Sequence, residues 1–150
     1  MGIQDIKNIE RLKQYLRSYR VIRSEMAAMQ GLVDMLSSDL LYLKGKGFDG
    51  MPHSSAVSNP VQDAVDAVEE ARNRHSEKVM EMVRELDEVV RVIGLAPQEA
   101  RAILVWRYVC GVRFDDIPER VNLSRREMFY LYKHSLKIIL EKIKVCIVLH

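Results

Sequence analysis

Apolar side chains recur along the first 44 residues at alternating steps of three and four positions. Such steps place them on one stripe of a helix, and two consecutive steps of three around Tyr19 interrupt the heptad once. The pattern predicts one long helix that packs along one side. The positions of this first seam are Ile9, Leu12, Leu16, Tyr19, Ile22, Met26, Met29, Val33, Leu36, Leu40 and Leu43.

A second seam follows a segment rich in Gly, Pro and Ser, GKGFDGMPHSSAVSNP, which predicts a loop at about residues 45–59. Asn59 before Pro60 predicts an N-cap with proline at the first helical position. Arg72 and His75 are polar members of the seam, which either fix the register of packing or extend to water. The positions of the second seam are Val61, Val65, Val68, Arg72, His75, Val79, Met82, Leu86, Val89 and Ile93.

Two long seamed helices joined by a loop favour an antiparallel helical hairpin, similar to a coiled coil, over residues 1–94. Pairing of the same seams between two chains is the competing solution, and the sequence leaves both open. The fold class expected for the whole chain is all-α.

Shorter amphipathic segments occupy residues 95–150. QEARAILVWRYVCG predicts a helix that ends at Gly111, and FDDIPERV predicts a short helix before the turn NLS. Asn122 is expected to adopt the left-handed conformation in this turn. Ser124 and Glu127 have the spacing of a capping box and predict the start of the last helix.

Arg125 and Arg126 follow Ser124 in the first helical turn, where positive charge opposes the helix dipole. Because the capping box does not need them, we interpret them as contacts to a polyanion, with an ordinary solvated helix surface as the alternative. The succession of a short helix, the turn NLS and a last helix predicts a helix-turn-helix that enters the major groove of DNA. Its arginines would donate hydrogen bonds to guanine, and its lysines would contact phosphates. The candidate DNA-binding residues are Arg125, Arg126, Phe129, Tyr130, Lys133 and Lys137.

The formal net charge is only +2, but the charge is unevenly distributed along the chain. Residues 60–100 contain five Lys or Arg against ten Asp or Glu, a balance of −5, whereas residues 101–150 contain ten against five, a balance of +5. A basic C-terminal third favours a polyanionic partner, which for a helix-turn-helix is double-stranded DNA.

Motifs for catalysis are missing from the sequence. The four histidines are scattered without ligand spacing and no nucleophile motif occurs, so we expect no enzyme, no cofactor and no metal. Trp106, Tyr108 and Phe114 lie among valines and leucines and are expected in the core. Cys110 and Cys146 lie in apolar sequence without paired spacing, which favours a reduced, cytoplasmic protein, and no segment is long enough for a membrane span.

The segment ILVWRYVCGVRFDDIPERVNLSRREMFYLYKHSLKIIL is similar to the helix-turn-helix of sigma-factor region 4. Together with the preceding DGMPHSSAVSNPVQDAV and the acidic heptad helix, residues from about 48 to 140 resemble the ArpU-type family of small phage and prophage transcriptional regulators of Gram-positive bacteria. Pro118 stands where this family usually has alanine, and Asn122 stands where it often has glycine. The resemblance implies a sequence-specific regulator of late phage genes in the bacterial host cytoplasm, with residues 124–140 as recognition helix and RNA polymerase as a further partner.

These observations predict a DNA-binding transcriptional regulator with a sigma region 4-like domain over residues 95–150 and a homodimer formed through the long helices. A small terminase-like DNA-packaging subunit, which joins the same kinds of elements and works as a ring, is the alternative. An interaction protein whose helix-turn-helix no longer reads DNA is a third interpretation.

Overall fold

The computed structural model describes residues 2–45 and 59–149, and over these ranges it contains helices and no β-strand. The all-α prediction is confirmed. The predicted loop at about 45–59 falls almost entirely outside the described residues. Five α-helices follow one another along the chain: α1 (Ile9–Gly45), α2 (Pro60–Ile93), α3 (Gln98–Leu104), α4 (Ile117–Val121) and α5 (Arg125–Val148).

Short turns of other helical types complete the described chain. Ile3–Asp5 and Phe114–Asp116 are 3-10 turns before α1 and α4, and Val105–Val109 is a π-helical turn that continues α3. The predicted N-cap of α2 is confirmed, because the Asn59 Oδ1 atom accepts a hydrogen bond from the Val61 amide at 3.1 Å. No described helix is both long and apolar enough to cross a bilayer.

Contacts divide the chain into two compact units. The first combines Met1–Ile22 with Met82–His150, and the second is Arg23–Glu81. The boundary predicted between residues 94 and 95 lies inside the first unit, because the start of α1 and the end of α2 share a core with α3, α4 and α5.

The core of the first unit is aliphatic and aromatic, with side chains from all five helices. Tyr15 adds a polar group at its border, where its hydroxyl donates to the Glu88 carboxylate at 3.3 Å; burial and the charge of Glu88 raise the pKa of Tyr15 to about 12. The buried residues are Ile6, Leu12, Tyr15, Leu16, Tyr19, Val89, Val92, Ile93, Ala96, Ile103, Leu104, Tyr108, Ile117, Met128, Tyr132, Leu136, Ile139 and Ile143.

The two predicted seams are largely confirmed. Every position of the first seam is buried or half-buried, and so is every position of the second except Arg72, which is exposed. Arg72 was wrongly included, because the neighbouring Ala71 is buried in its place and the arginine extends to water. Within the second unit the Lys78 ammonium pairs with both Glu25 and Glu81 at 2.8 Å, which joins α1 to α2.

Gly111 ends the helical segment that begins with α3, as predicted. Its φ of +75° is left-handed, and a Cβ atom there would lie 2.9 Å from the Arg20 guanidinium. The left-handed φ is what favours glycine at this position, because the flexible Arg20 side chain could move away from a Cβ atom. Cys110 and Cys146 are both exposed and form no disulfide with each other.

Candidate nucleic-acid interface

The first turn of α5 is closed by a reciprocal pair of hydrogen bonds. The Ser124 Oγ atom accepts from the Glu127 amide at 3.2 Å, and a Glu127 carboxylate oxygen accepts from the Ser124 amide at 3.0 Å. The Ser124 hydroxyl also donates to this carboxylate at 2.7 Å, and the bonds from Ser124 lower the pKa of Glu127. The predicted capping box is confirmed, and it uses neither arginine of the turn.

A tight turn joins α4 to α5. Asn122 has a φ of 52° and a ψ of 43°, the left-handed conformation expected from the sequence. The Leu123 amide donates to the Pro118 carbonyl at 3.1 Å, so the end of α4 is closed by the turn itself. Pro118 lies in the first turn of α4, where its missing amide removes no helical hydrogen bond. The short α4 therefore leads directly into the capped start of α5.

One side of α5 is packed in the core, and the opposite side, which we call the basic face, is open. Met128, Tyr132 and Ser135 are buried on the packed side. The basic face consists of exposed Arg126, Tyr130, Lys133 and Lys137. This division agrees with the helical spacing read from the sequence.

Aromatic and basic side chains alternate on the basic face. Tyr130 is 67% exposed, and its ring stacks on the His134 imidazole with centroids 5.9 Å apart and an interplanar angle of 8°. Arg126 lies beside Tyr130, Leu123 and Leu131 in a shallow groove and has no ion pair or hydrogen bond with any described residue. Its guanidinium is therefore available for bidentate bonds to an acceptor outside the chain.

Arg125 is exposed but is held by two neighbours. Its Nη2 atom lies 3.1 Å from the Asp115 Oδ1 atom, and its guanidinium carbon lies 5.8 Å from the centroid of the Phe129 ring. The two arginines at the start of α5 therefore differ, since Arg125 has a fixed direction and Arg126 does not.

Phe129, a predicted DNA-binding residue, is half-buried rather than open. Its ring packs on Phe114 with centroids 5.3 Å apart, and Phe114 meets Tyr132 edge-on at 4.9 Å. On this geometry the Phe129 ring lies between Phe114 and the Arg125 guanidinium and is less accessible than the side chains of the basic face.

The core position expected for Tyr108 is confirmed, whereas Phe114 is half-buried and packs against the core. The Tyr108 and Tyr132 hydroxyls are 2.7 Å apart in the buried interior, and burial together with this hydrogen bond raises the pKa of Tyr108. Trp106 is half-buried against the core, with the Arg120 guanidinium over its ring at 4.7 Å. These rings are not available to stack on bases.

Two residues of the interface were not among the sequence predictions. Asp115 pairs with Arg125 from outside α5, and no regular sequence spacing connects the two residues. His134 stacks on Tyr130 four residues before it, and this helical spacing could have predicted their contact. Within the described ranges no group of three or more His, Cys, Asp or Glu side chains could hold a metal ion.

Comparison of the chain with protein-family models, with curated proteins and with solved structures found no match.

Proposed function

We propose that the protein is a sequence-specific DNA-binding transcriptional regulator that reads the major groove with residues 124–140. The observation that carries this proposal is the start of α5, where Ser124 and Glu127 complete the cap while Arg125 and Arg126 are exposed. Two cations at the positive end of a helix oppose its dipole by a few tenths of a kcal/mol each, at the low end of the usual range. Asp115 offsets part of this cost for Arg125, whereas Arg126 has no partner among the described residues, and neutralisation by DNA phosphates and base edges would offset the remainder.

The geometry of α4 and α5 supports a helix-turn-helix arrangement. In this arrangement the second helix enters the groove with its N-terminal residues towards the bases, and the first helix crosses the backbone. The three-residue link 122–124 and the open basic face fit that orientation. Arg125 and Arg126 then reach base edges, and Lys133 and Lys137 contact phosphates further along the helix.

The long helices support the proposal of an antiparallel hairpin within one chain. In the first unit the Tyr15 hydroxyl donates to Glu88 and the Ser18 hydroxyl donates to Glu85. The residue number therefore increases along α1 while the number of its hydrogen-bond partner decreases along α2. This is the pairing order of antiparallel helices. The seams are then covered within the chain.

The similarity of residues from about 48 to 140 to ArpU-type regulators supports control of late phage or prophage genes as the biological role. RNA polymerase is the further partner that this role requires, and the bacterial host cytoplasm is its compartment. Both belong to the proposal and can be tested once a DNA site is known.

Binding to DNA is tested by fluorescence anisotropy of the full chain with labelled fragments of a phage or prophage genome. We expect selected fragments to bind more tightly than the rest and the affinity to fall steeply between about 50 and 200 mM salt, because bound cations are released from phosphates. Absence of any salt-sensitive binding would reject the proposal in favour of an interaction protein. Light scattering that finds a closed ring of many copies would favour the packaging subunit.

A matched pair of variants separates the interface from general charge. Arg126→Ala and Arg84→Ala each remove one exposed helical arginine that has no ion pair among the described residues. We expect only Arg126→Ala to weaken binding substantially. Equal losses for both variants would indicate that the basic face has no special role.

A further inference from the structure

The middle of α1 carries unusually little charge for a helix with an open side. Among residues 26–43 only Asp34 and Asp39 are charged. A helix that is apolar on all sides is normally covered on all sides. The described contacts of α1 cover only one of them.

The covered side is the first seam. Met26, Met29, Val33, Leu36 and Leu40 are buried or half-buried in the second unit, in which Glu25 also pairs with Lys78 of α2. Any further partner of this part of α1 therefore has to use the opposite side.

That opposite side, which we call the outer face, is centred on Gly31. Gly31 is two and a half helical turns from both Ile22 and Leu40 of the seam, so it points directly away from them. Met35 on this face is 53% exposed, and Leu41 beside it is 71% exposed. Exposed apolar side chains grouped in this way are typical of an interaction surface.

Gly31 has no packing role inside the described chain, because no atom lies within 4 Å of the position that a Cβ would take. Glycine also lowers helix stability in the middle of a helix relative to alanine. Close approach of another helix at this point gives the glycine a role.

The outer face is complementary to itself when two copies run antiparallel. Antiparallel copies related by an axis at Gly31 place Met35 opposite Ala27, and Ser38 opposite Ser24. Close to the axis, a two-fold contact therefore packs the large Met35 of each copy against the small Ala27 of the other.

The charges are also ordered along this face. Arg23 is exposed before Gly31, whereas Asp34 and Asp39 are exposed after it. An antiparallel arrangement therefore brings the basic end of one copy opposite the acidic end of the other. A parallel arrangement would bring equal charges together.

We propose that the outer face of α1 binds a second copy of this chain in an antiparallel, two-fold symmetric contact with Gly31 near the axis. The dimer expected from the sequence then uses the side of α1 opposite the heptad seam. This inference does not depend on DNA binding, so either proposal can fail without the other.

Sedimentation equilibrium of the full chain over a range of concentrations tests the contact. We expect a particle of two chains, and we expect Gly31→Leu to raise its dissociation constant roughly tenfold or more by overpacking the axis. Thermal unfolding of the dilute variant should not be lowered, because leucine favours helix more than glycine does. Asn73→Leu, at an exposed position of α2 in the same unit, is the matched control and should leave association unchanged.

The orientation is tested by disulfide cross-linking in a Cys110→Ser, Cys146→Ser background. Gly31→Cys should form cross-linked dimers, whereas Leu41→Cys should not, because antiparallel copies hold position 41 about 30 Å apart. Cross-linking of both variants would overturn the antiparallel contact. A chain that stays monomeric at every concentration, associates equally well with Gly31→Leu, or binds lipid vesicles as a monomer would overturn the proposal altogether.

Discussion

The Asp115 carboxylate holds the Arg125 guanidinium at 3.1 Å, although both side chains are more than half exposed. The pair connects the 3-10 turn before α4 to the first turn of α5. Phe129 lies on the other side of the same guanidinium. Under the proposed function, this ion pair would orient Arg125 before DNA binds and would lower the entropy lost when the arginine contacts a base.

Asp115→Asn should reduce discrimination between DNA sequences more than it reduces non-specific affinity, because Arg125 loses its anchor while the net charge becomes more positive. The effect on the free energy of unfolding should stay below about 1 kcal/mol, as for other exposed ion pairs. Asp116→Asn makes the same charge change beside it without breaking this ion pair and serves as control. Uniformly tighter binding of all sequences by both variants would contradict a positioning role.

Arg125→Ala and Arg126→Ala should each cost about 1–3 kcal/mol of binding free energy if the arginine contacts a base, and should relax the preference at one base pair. Lys137→Ala should instead weaken binding evenly across sequences and lower the salt dependence, because it removes a phosphate contact. Affinities measured over a library of sites distinguish the two patterns. Unchanged discrimination in both arginine variants would refute the base-reading role.

Ser124→Ala should lower the free energy of unfolding by about 1 kcal/mol through loss of the N-cap. Chemical denaturation followed by circular dichroism measures this change. Ser37→Ala, which removes a hydroxyl within α1, is the control and should have a much smaller effect. An unaltered midpoint in the Ser124 variant would show that the cap does not contribute.

The cap should also depend on pH. The hydrogen bonds from Ser124 lower the pKa of Glu127 in the folded state, so this carboxylate contributes stability above its ordinary unfolded pKa. That contribution should disappear as the pH falls through the lowered folded value. Glu127→Ala and the parent chain should therefore differ in stability near neutral pH and converge in acid.

Tyr108→Phe should destabilise the first unit by about 1–3 kcal/mol, because it leaves the Tyr132 hydroxyl buried without its partner. The double variant with Tyr132→Phe should lose no more than the single variant, since neither polar group then remains. Thermal melts of the single and double variants measure the coupling between the two residues. Additive losses would show that the two hydroxyls do not interact.

The seams, caps and buried side of α5 could be predicted because each depends on residues close in sequence. Each of these features depends only on residues within one or two helical turns, as the apolar period, the cap of Ser124 and Glu127 and the left-handed turn at Asn122 show. The second seam was assigned to Arg72 instead of Ala71 for a related reason. Alanine adds little to an apolar pattern, and yet Ala71 is the buried residue of the two.

The contacts of the interface could not be predicted in the same way. Asp115 and Arg125 belong to different elements, and whether they meet depends on the turn between α4 and α5 and on the core beneath them. Phe129 is at the edge of the apolar side, where helical spacing alone does not decide between core and surface. The π-helical turn changes the hydrogen-bond pattern without changing the apolar pattern, so no sequence feature indicated it.

That turn has a consequence for the length of the segment between α3 and Gly111. The Cys110 amide bonds to the Val105 carbonyl at 3.0 Å, so one turn here contains an extra residue compared with an α-helical turn. Deleting a single residue within Val105–Val109 would therefore restore ordinary helical spacing without rotating the residues that follow, because the wide turn accommodates that one residue. This turn is thus a place where the chain tolerates a change in length without a change in the direction of the helices that come after it.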